Sequence, residues 1–486
     1  MVDAVQDWSP AEFEKHGAEV LAAIREHFEQ IRQVPVSRPY DTRVLLEEFE
    51  GPMPDDGEEF TTILAETREK VVPNLVQWNH PSFFGYFPTC ASFPGVLAET
   101  VTAALNVNTM LWKTSPAGSA VETVVLRWLA DLAGYHTDAD GLLLGGASLA
   151  TLFALGAARD AALGPEVREH GLGSAGRLRV YASDQAHSSV EKSVIALGFG
   201  ARNLVRVPSD AHYRMRPDEL DAALRRDLAA GAKPVAVVAT VGTTSTGAAD
   251  DLAALARVTE RHGVWLHVDA AYGGFYRACP SLRDRVEDVR VGDSLVVNPQ
   301  KTLLVPLDST ALFCRREGAL AQSFRLVPDY LTSERPAAFD YMDLSPQLGR
   351  GFRALKAWWV LRTFGRNGLT AHLERSVEMA DALRESAAAH EDWTVVGTTP
   401  YPLVCLRYTP KRDGEPLPRH ARDQLNAAIA GAVNESGRAF VSHSVLRDGY
   451  VIRVAVGNAR TTPADVRALW RLLTTTAEAQ YADQRF

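Results

Sequence analysis

The run Val264-Trp-Leu-His-Val-Asp-Ala-Ala-Tyr-Gly-Gly274, VWLHVDAAYGG, decides the fold. Its first half is a short, nearly continuous apolar strand, the kind that is buried on both faces in a parallel sheet covered by helices. Its second half is a turn of small residues, so the strand delivers one carboxylate, Asp269, to its carboxyl end. Open α/β sheets bind their ligands at that edge. His267 stands two residues earlier and so shares a face with Asp269. Taken alone, Asp269 has two readings: a buried carboxylate that needs a cationic partner, or a cap on the next helix.

Working outward, further apolar runs occur at LRVYAS (178–183), PVAVVAT (234–240) and DSLVVNP (293–299), with helical stretches between them. This alternation predicts an α/β protein with a mostly parallel central sheet in a large domain over residues 91–378. Residues 1–90 read as a helical segment. SPAEFEKHGAEVLAAIREHFEQIR opens with Ser9 as cap and Pro10 in the first turn, and a second helix is expected in DGEEFTTILAETREKVVPNL. Residues 379–486 read as a small C-terminal α/β domain with strands in PLVCLRY (402–408) and YVIRVAVG (450–457). Its final helix is capped by Thr462, followed by Pro463 and by Asp465 three residues on from the cap.

The chain has 486 residues, 46% of them hydrophobic, enough for more than one core. A net charge of -9 argues against nucleic-acid or anionic-membrane partners and leaves a small molecule as the expected one. Cys90, Cys279, Cys314 and Cys405 form no CxxC pair or histidine-flanked cluster, so a metal site is not expected and a reducing compartment, the cytoplasm, is. No secretory signal is expected from MVDAVQDWSPAEFEKHG. The apolar window 141–158 is interrupted by Gly145, Gly146, Ser148 and Thr151, so no membrane span is expected.

GLGSAG (171–176) matches a dinucleotide-binding pattern literally, but the strand follows it instead of preceding it, so it reads as a loop. GLLLGGASLATLFALGAARD has the right order of strand, small-residue turn and helix. The N–H groups at that helix start and the Ser148 hydroxyl would suit a phosphate; the alternative is an ordinary tight turn. Among the lysines, Lys15, Lys70, Lys192 and Lys356 fall on helices, Lys233 and Lys411 in turns, and Lys113 and Lys301 remain. Only Lys301, in VVNPQKTLLV (296–305), follows a strand. An amine desolvated there is a nucleophile for a carbonyl, forming a Schiff base; the alternative is an ion pair with an acid such as Asp308. Phosphate turn, strand-end aspartate and strand-end lysine together are what pyridoxal phosphate requires: an anion cradle, a partner for the pyridine nitrogen and an amine for the aldehyde.

With these features on the page, the chain resembles the pyridoxal-phosphate-dependent group II decarboxylases, and among them the aromatic L-amino acid decarboxylases. The resemblance runs through HPSFFGYFPT (80–89), SPAGSAVE (115–122), GASLATL (146–152), YASDQAHSSVEK (181–192), ATVGTTSTG (239–247), HVDAAYGG (267–274), NPQKTLL (298–304), VPDYL (327–331) and LGRGFRALKAWW (348–359). It implies an aspartate-aminotransferase-like (fold type I) architecture and a homodimer with shared active sites. Lys301 is implied as the Schiff-base lysine, Asp269 as the partner of the pyridine nitrogen and His187 as the residue stacked on the ring. Ala147, Ser148 and Asn298 would hold the phosphate, with Thr244, Ala271 and Gln300 also at the cofactor. Tyr330 would protonate the substrate carbon after carbon dioxide leaves. The implied substrate pocket comprises Trp78, Tyr86, Phe87, Pro88, Thr89, Asn108, Met110 and Leu307. The implied activity is decarboxylation of an aromatic L-amino acid to the arylalkylamine. The alternatives are oxidative decarboxylation-deamination to an aldehyde, or a non-aromatic substrate. Tyr330 favours the amine, because related aldehyde synthases carry phenylalanine there. One departure bears on the chemistry: the family's usual histidine before the lysine is Gln300, an amide that can donate to phosphate or carboxylate but cannot titrate.

Overall fold

The computed structural model describes residues 7–326 and 340–483. The whole VPDYL motif (327–331), Tyr330 included, lies outside the described residues. A seven-stranded sheet is built from β1 (Asp140–Leu144), β2 (Leu178–Ser183), β3 (Leu204–Val207), β4 (Lys233–Thr240), β5 (Trp265–Asp269), β6 (Ser294–Val297) and β7 (Thr310–Cys314). Their order is β1-β7-β6-β5-β4-β2-β3. Only β7 runs against its neighbours, and the other pairings are parallel. Residues of β2, β5, β6 and β7 are buried throughout. Continuous apolar runs are therefore needed here, because helices cover both faces.

Register brings the strand ends to one edge. Thr240 pairs with Asp269, and Asp269 with Val296. Leu144 at the end of β1 faces Thr310 at the start of β7, so the turns after β1 and β6 and the entry to β7 lie side by side.

A second sheet contains β8 (Trp393–Val395), β9 (Leu403–Tyr408), β12 (Ser442–Leu446) and β13 (Gly449–Ala455) in the order β12-β13-β9-β8, with a two-residue hairpin β10–β11 (411–412, 415–416) beside it. It has its own core, including Leu406, Leu425, Ile429, Ile452, Val454 and Leu473. The long helix Arg353–Ala388 runs between the two sheets and is interrupted at Gly365, whose φ of +61° lies in the left-handed region that favours glycine.

At the N-terminal end, Ser9 and Glu12 form a capping box on the helix Pro10–Gln30. The expected second helix is Phe60–Glu66, which passes into a π turn over Thr67–Val71 and a 3-10 turn over Val72–Asn74, where Pro73 lacks the N–H to continue it. A further helix, Thr42–Phe49, is capped by Asp41. GLGSAG lies in turns between the helical turn Val167–His170 and β2, as a loop. Thr462 and Asp465 cap the final helix, Pro463–Asp483. Among the described residues no helix is long and apolar enough to cross a membrane.

Candidate active site

Beyond β6 the chain turns at once into the one-turn helix Pro299–Thr302, with Asn298 as its N-cap and Pro299 in the first turn, where no N–H is needed. Lys301 projects from this turn with Nζ 4.9 Å from the centroid of the Phe87 ring. Desolvation holds its pKa below the ordinary lysine value, against the attraction of Asp269, and the Arg453 guanidinium acts in the same downward direction. The amine is thus biased toward its nucleophilic free-base form. Asp308, the alternative partner, instead pairs with Arg353 Nε at 3.0 Å. Lys356, assigned to a helix by periodicity, is a buried lysine paired with Glu99. Lys233 opens β4, and Lys411 lies in β10 rather than in a turn.

Asp269 is buried at the end of β5, and its Oδ1 accepts the Ala271 N–H at 3.2 Å. Asp269 does not cap the next helical element, Gly274–Ala278, whose N-cap is Gly273; its carboxylate instead acts on Lys301 and His187. His267, behind it on the same strand, is fully buried. Trp265 Nε1 donates to Ser294 Oγ (2.9 Å), which leaves the serine hydrogen for His267 Nδ1 (2.8 Å). His267 Nε2 has no partner among the described residues. Burial lowers its pKa to about 4, so the ring is neutral.

His187 caps the helix Ser188–Ala196: its Nδ1 accepts the Ser189 N–H at 3.1 Å and lies 2.9 Å from Ser189 Oγ. Its orientation and tautomer are set by that cap. Desolvation lowers its pKa, with Asp269 opposing.

The turn after β1 is Gly145-Gly146, followed by the helix Ala147–Leu163. A Cβ on Gly145 would stand 2.7 Å from Asp308 Oδ2 and displace that carboxylate, while Gly146 faces open space. The N–H groups of Leu149 and Ala150 return to Gly146 O, leaving those of Ala147 and Ser148 to face outward from the helix start. Asn298 Oδ1 is buried without a partner among the described residues. After β4, Thr243 and Thr246 share a hydrogen bond of 3.0 Å, and Thr244 between them is exposed.

HPSFFGYFPT forms the aromatic wall by joining the second sheet. The Phe84 N–H donates to Phe440 O (2.8 Å), and the Ala455 N–H donates to Phe84 O (2.9 Å). Tyr86 adopts φ +48°, with its N–H on Ser442 Oγ at 3.1 Å and its carbonyl accepting from Arg453 Nη1. Phe87 is buried, stacked on Tyr272 at 3.9 Å between centroids. Trp78 stacks on Tyr86 at 5.6 Å. Pro88 packs against Gly457, and Thr89 is half-buried.

Arg453 is the residue that sequence reasoning missed. It is 2% exposed, its Cζ lies 4.5 Å from the Phe87 centroid, and Nε and Nη2 have no partner among the described residues. The signal was available: one cation inside the apolar strand YVIRVAVG, the same argument that singled out Lys301. Asn108 Oδ1 accepts from Arg350 N–H (2.9 Å), and Met110 O accepts from Met342 N–H (3.1 Å). Leu307 is 65% exposed.

Residues 43–409 match the pyridoxal-dependent decarboxylase conserved domain. The chain belongs to this decarboxylase family. It is 33% identical over 485 residues to tyrosine decarboxylase 3 of Petroselinum crispum, covering 98% of this chain and 93% of that protein. It is 32% identical over 470 residues to a phenylacetaldehyde synthase of Arabidopsis thaliana, covering 94% of each. The crystal structure of Oryza sativa TDC with PLP and tryptamine superposes with a TM-score of 0.93 at 31% identity, over 98% of this chain and 99% of that one.

The family's cofactor is pyridoxal phosphate, and the residues present fit it. The outward N–H groups of Ala147 and Ser148 and the space at Gly146 suit a phosphate. The buried Asp269 and the desolvated Lys301 amine supply the remaining fixtures, a partner for the pyridine nitrogen and an amine for the aldehyde.

Proposed function

We propose that this decarboxylase acts on an aromatic L-amino acid, releasing carbon dioxide and the arylalkylamine. The observation that carries the reading is the convergence of Lys301 Nζ and the Arg453 guanidinium on one aromatic ring, Phe87, at 4.9 and 4.5 Å. An aromatic amino acid presents an amine to be exchanged, a carboxylate to be held and a ring to be packed. The same small volume offers a counterpart to each.

Pyridoxal phosphate, when bound, supplies a conjugated ring that takes up the electron pair left as the carboxylate departs. Ala147, Ser148 and Asn298 would hold its phosphate, with Thr244 and Ala271 alongside. Lys301 would give the amine that holds the cofactor aldehyde. Asp269 keeps a proton on the pyridine nitrogen, and its burial strengthens that interaction. His187, fixed by its cap, covers the ring. Arg453 would turn Nε–H and Nη2–H, which have no partner among the described residues, to the substrate carboxylate, and Phe87 with Tyr272 would keep water from that side. Tyr330 is proposed as the donor that protonates the substrate carbon afterwards. Trp78, Tyr86, Pro88, Thr89 and Leu307 would bound the side-chain pocket.

A homodimer is part of the proposal. The helices Pro10–Gln30, Thr42–Phe49 and Phe60–Glu66 contain no buried residue, and Leu21, Phe93, Leu97, Val101 and Leu105 are exposed nearby in sequence. A second copy would cover them and would also reach the exposed Asn108 loop, bringing Asn108 and Met110 into a shared site. Four unpaired, buried cysteines suit a reducing compartment such as the cytoplasm.

The test is product analysis across aromatic and acidic L-amino acids. Equimolar carbon dioxide and arylalkylamine is expected. Aldehyde with ammonia and peroxide would replace this reading with the oxidative one, and release of carbon dioxide only from acidic substrates would overturn the aromatic assignment.

A further inference from the structure

Gln300 precedes the active-site lysine, and its side chain is already engaged. Its Oε1 accepts the Ser309 N–H at 2.5 Å, while its own N–H points back to Ser309 O at 3.4 Å. A peptide N–H can only donate, so the atom facing Ser309 must be the amide oxygen and not the nitrogen. The two contacts are reciprocal and close a loop that begins with Lys301 and ends where β7 begins.

The need for this closure follows from the chain path. β6 and β7 pair antiparallel as far as Val297 and Ala311. The next step of that ladder would use a backbone carbonyl opposite Ser309, but the chain has already turned into Pro299–Thr302 and withdrawn it. The Gln300 amide, chemically a peptide group on a tether, extends the ladder by one bond. Elsewhere the loop is pinned by Ser92 Oγ on Leu304 O (2.8 Å) and by Arg353 on Asp308. Gln300 is the tie at its base. With Oε1 committed, the two Nε2–H donors are held in a fixed direction, and no described residue accepts from them.

We propose that Gln300 is a positioning residue for Lys301, acting through Ser309, and that it sets the placement of the lysine amine in a way that does not vary with pH because the amide does not titrate. The proposal rests on the reading of Lys301 as the cofactor-binding amine, but not on which substrate is used.

The experiment compares wild type with Gln300→Met, which keeps the shape and deletes the acceptor, and Gln300→Glu, which keeps an acceptor oxygen and adds charge. Hydrogen exchange over residues 303–312 is followed in cofactor-free protein, alongside pyridoxal phosphate affinity and the kcat against KM split. For Gln300→Met, the Ser309 amide is expected to exchange at least about tenfold faster, the scale of one lost hydrogen bond of about 1.4 kcal/mol. Cofactor affinity and kcat should fall by about the same factor, with KM within twofold. Gln300→Glu should restore Ser309 protection and move the pH dependence of cofactor capture to higher pH, since an anion beside Lys301 favours its charged form. The proposal is overturned if Gln300→Met leaves Ser309 protected, or if exchange accelerates while affinity and kcat stay within twofold of wild type. The exchange and affinity measurements need no substrate, so an error in the substrate assignment would leave them standing.

Discussion

Replacing Arg453 with glutamine tests the two-cation arrangement around Phe87. The guanidinium carbon and Lys301 Nζ lie 4.5 and 4.9 Å from one ring centroid. They are therefore at most about 9.4 Å apart, and at an effective dielectric of 20 their repulsion is at least about 1.8 kcal/mol. Removing it favours the charged lysine, which cannot attack an aldehyde. Below the lysine's own titration, cofactor capture by the stripped protein should slow by about 20-fold, and the rate-against-pH curve should move to higher pH. Truncating a buried partner of the substrate carboxylate costs about 2–5 kcal/mol, so kcat/KM should fall by at least about 30-fold. Stopped-flow absorbance on mixing stripped protein with pyridoxal phosphate reads the first effect, and carbon dioxide release reads the second. Arg453→Lys separates them: it keeps the charge, and so the capture curve, but loses the planar fork, and so the turnover. A glutamine variant whose capture curve superposes on that of wild type and whose kcat/KM is within threefold of it would refute the reasoning.

Acid lability should trace in part to His267. Its pKa is lowered from 6.5 to about 4 by burial, so the unfolded chain takes up a proton first as pH falls. The stabilisation is complete above about pH 6.5 and is lost down to about pH 4, amounting to about 3 kcal/mol. Urea midpoints between pH 7.5 and 4.5 should fall less steeply for His267→Gln, and equal slopes would refute this. Leu97→Glu, on the exposed apolar face, should shift the sedimentation coefficient from dimer to monomer at micromolar concentration; an unchanged value would place the interface elsewhere.

The central sheet was legible because its strands are apolar on both faces and end in small residues, a pattern carried within a few residues of each strand. Lys301 and Asp269 were legible for the same reason, as charges at the ends of such runs. Lys356 shows where elimination by periodicity fails, because its helix is buried on the face that carries it and Glu99 supplies the counter-charge. The helix Thr42–Phe49 is brief, and its cap, Asp41, is a single residue among many polar ones. Gln300 was read as a donor to phosphate or carboxylate; the structure adds a contact that the sequence did not suggest, its oxygen accepting from Ser309 while its N–H donors stay available. That contact depends on how the loop closes, which no local pattern encodes. The Arg453 contact with Phe87 joins residues at opposite ends of the chain, so only its unusual place in an apolar strand could point to it.

The aromatic wall has a consequence for the order in which the protein matures. Phe84 is held by the main chain of Phe440 and Ala455, and Tyr86 by Ser442 and Arg453. During synthesis, the lysine, the aspartate and the small-residue turn all emerge well before these partners. A nascent chain halted before residue 440 would carry Lys301, Asp269 and the small-residue turn but not Arg453, which biases the lysine toward its free base, and one side of the site would stand open to water. Competence to hold the cofactor and competence to shield it are thus separated in time, with the second gained only as the last strands leave the ribosome.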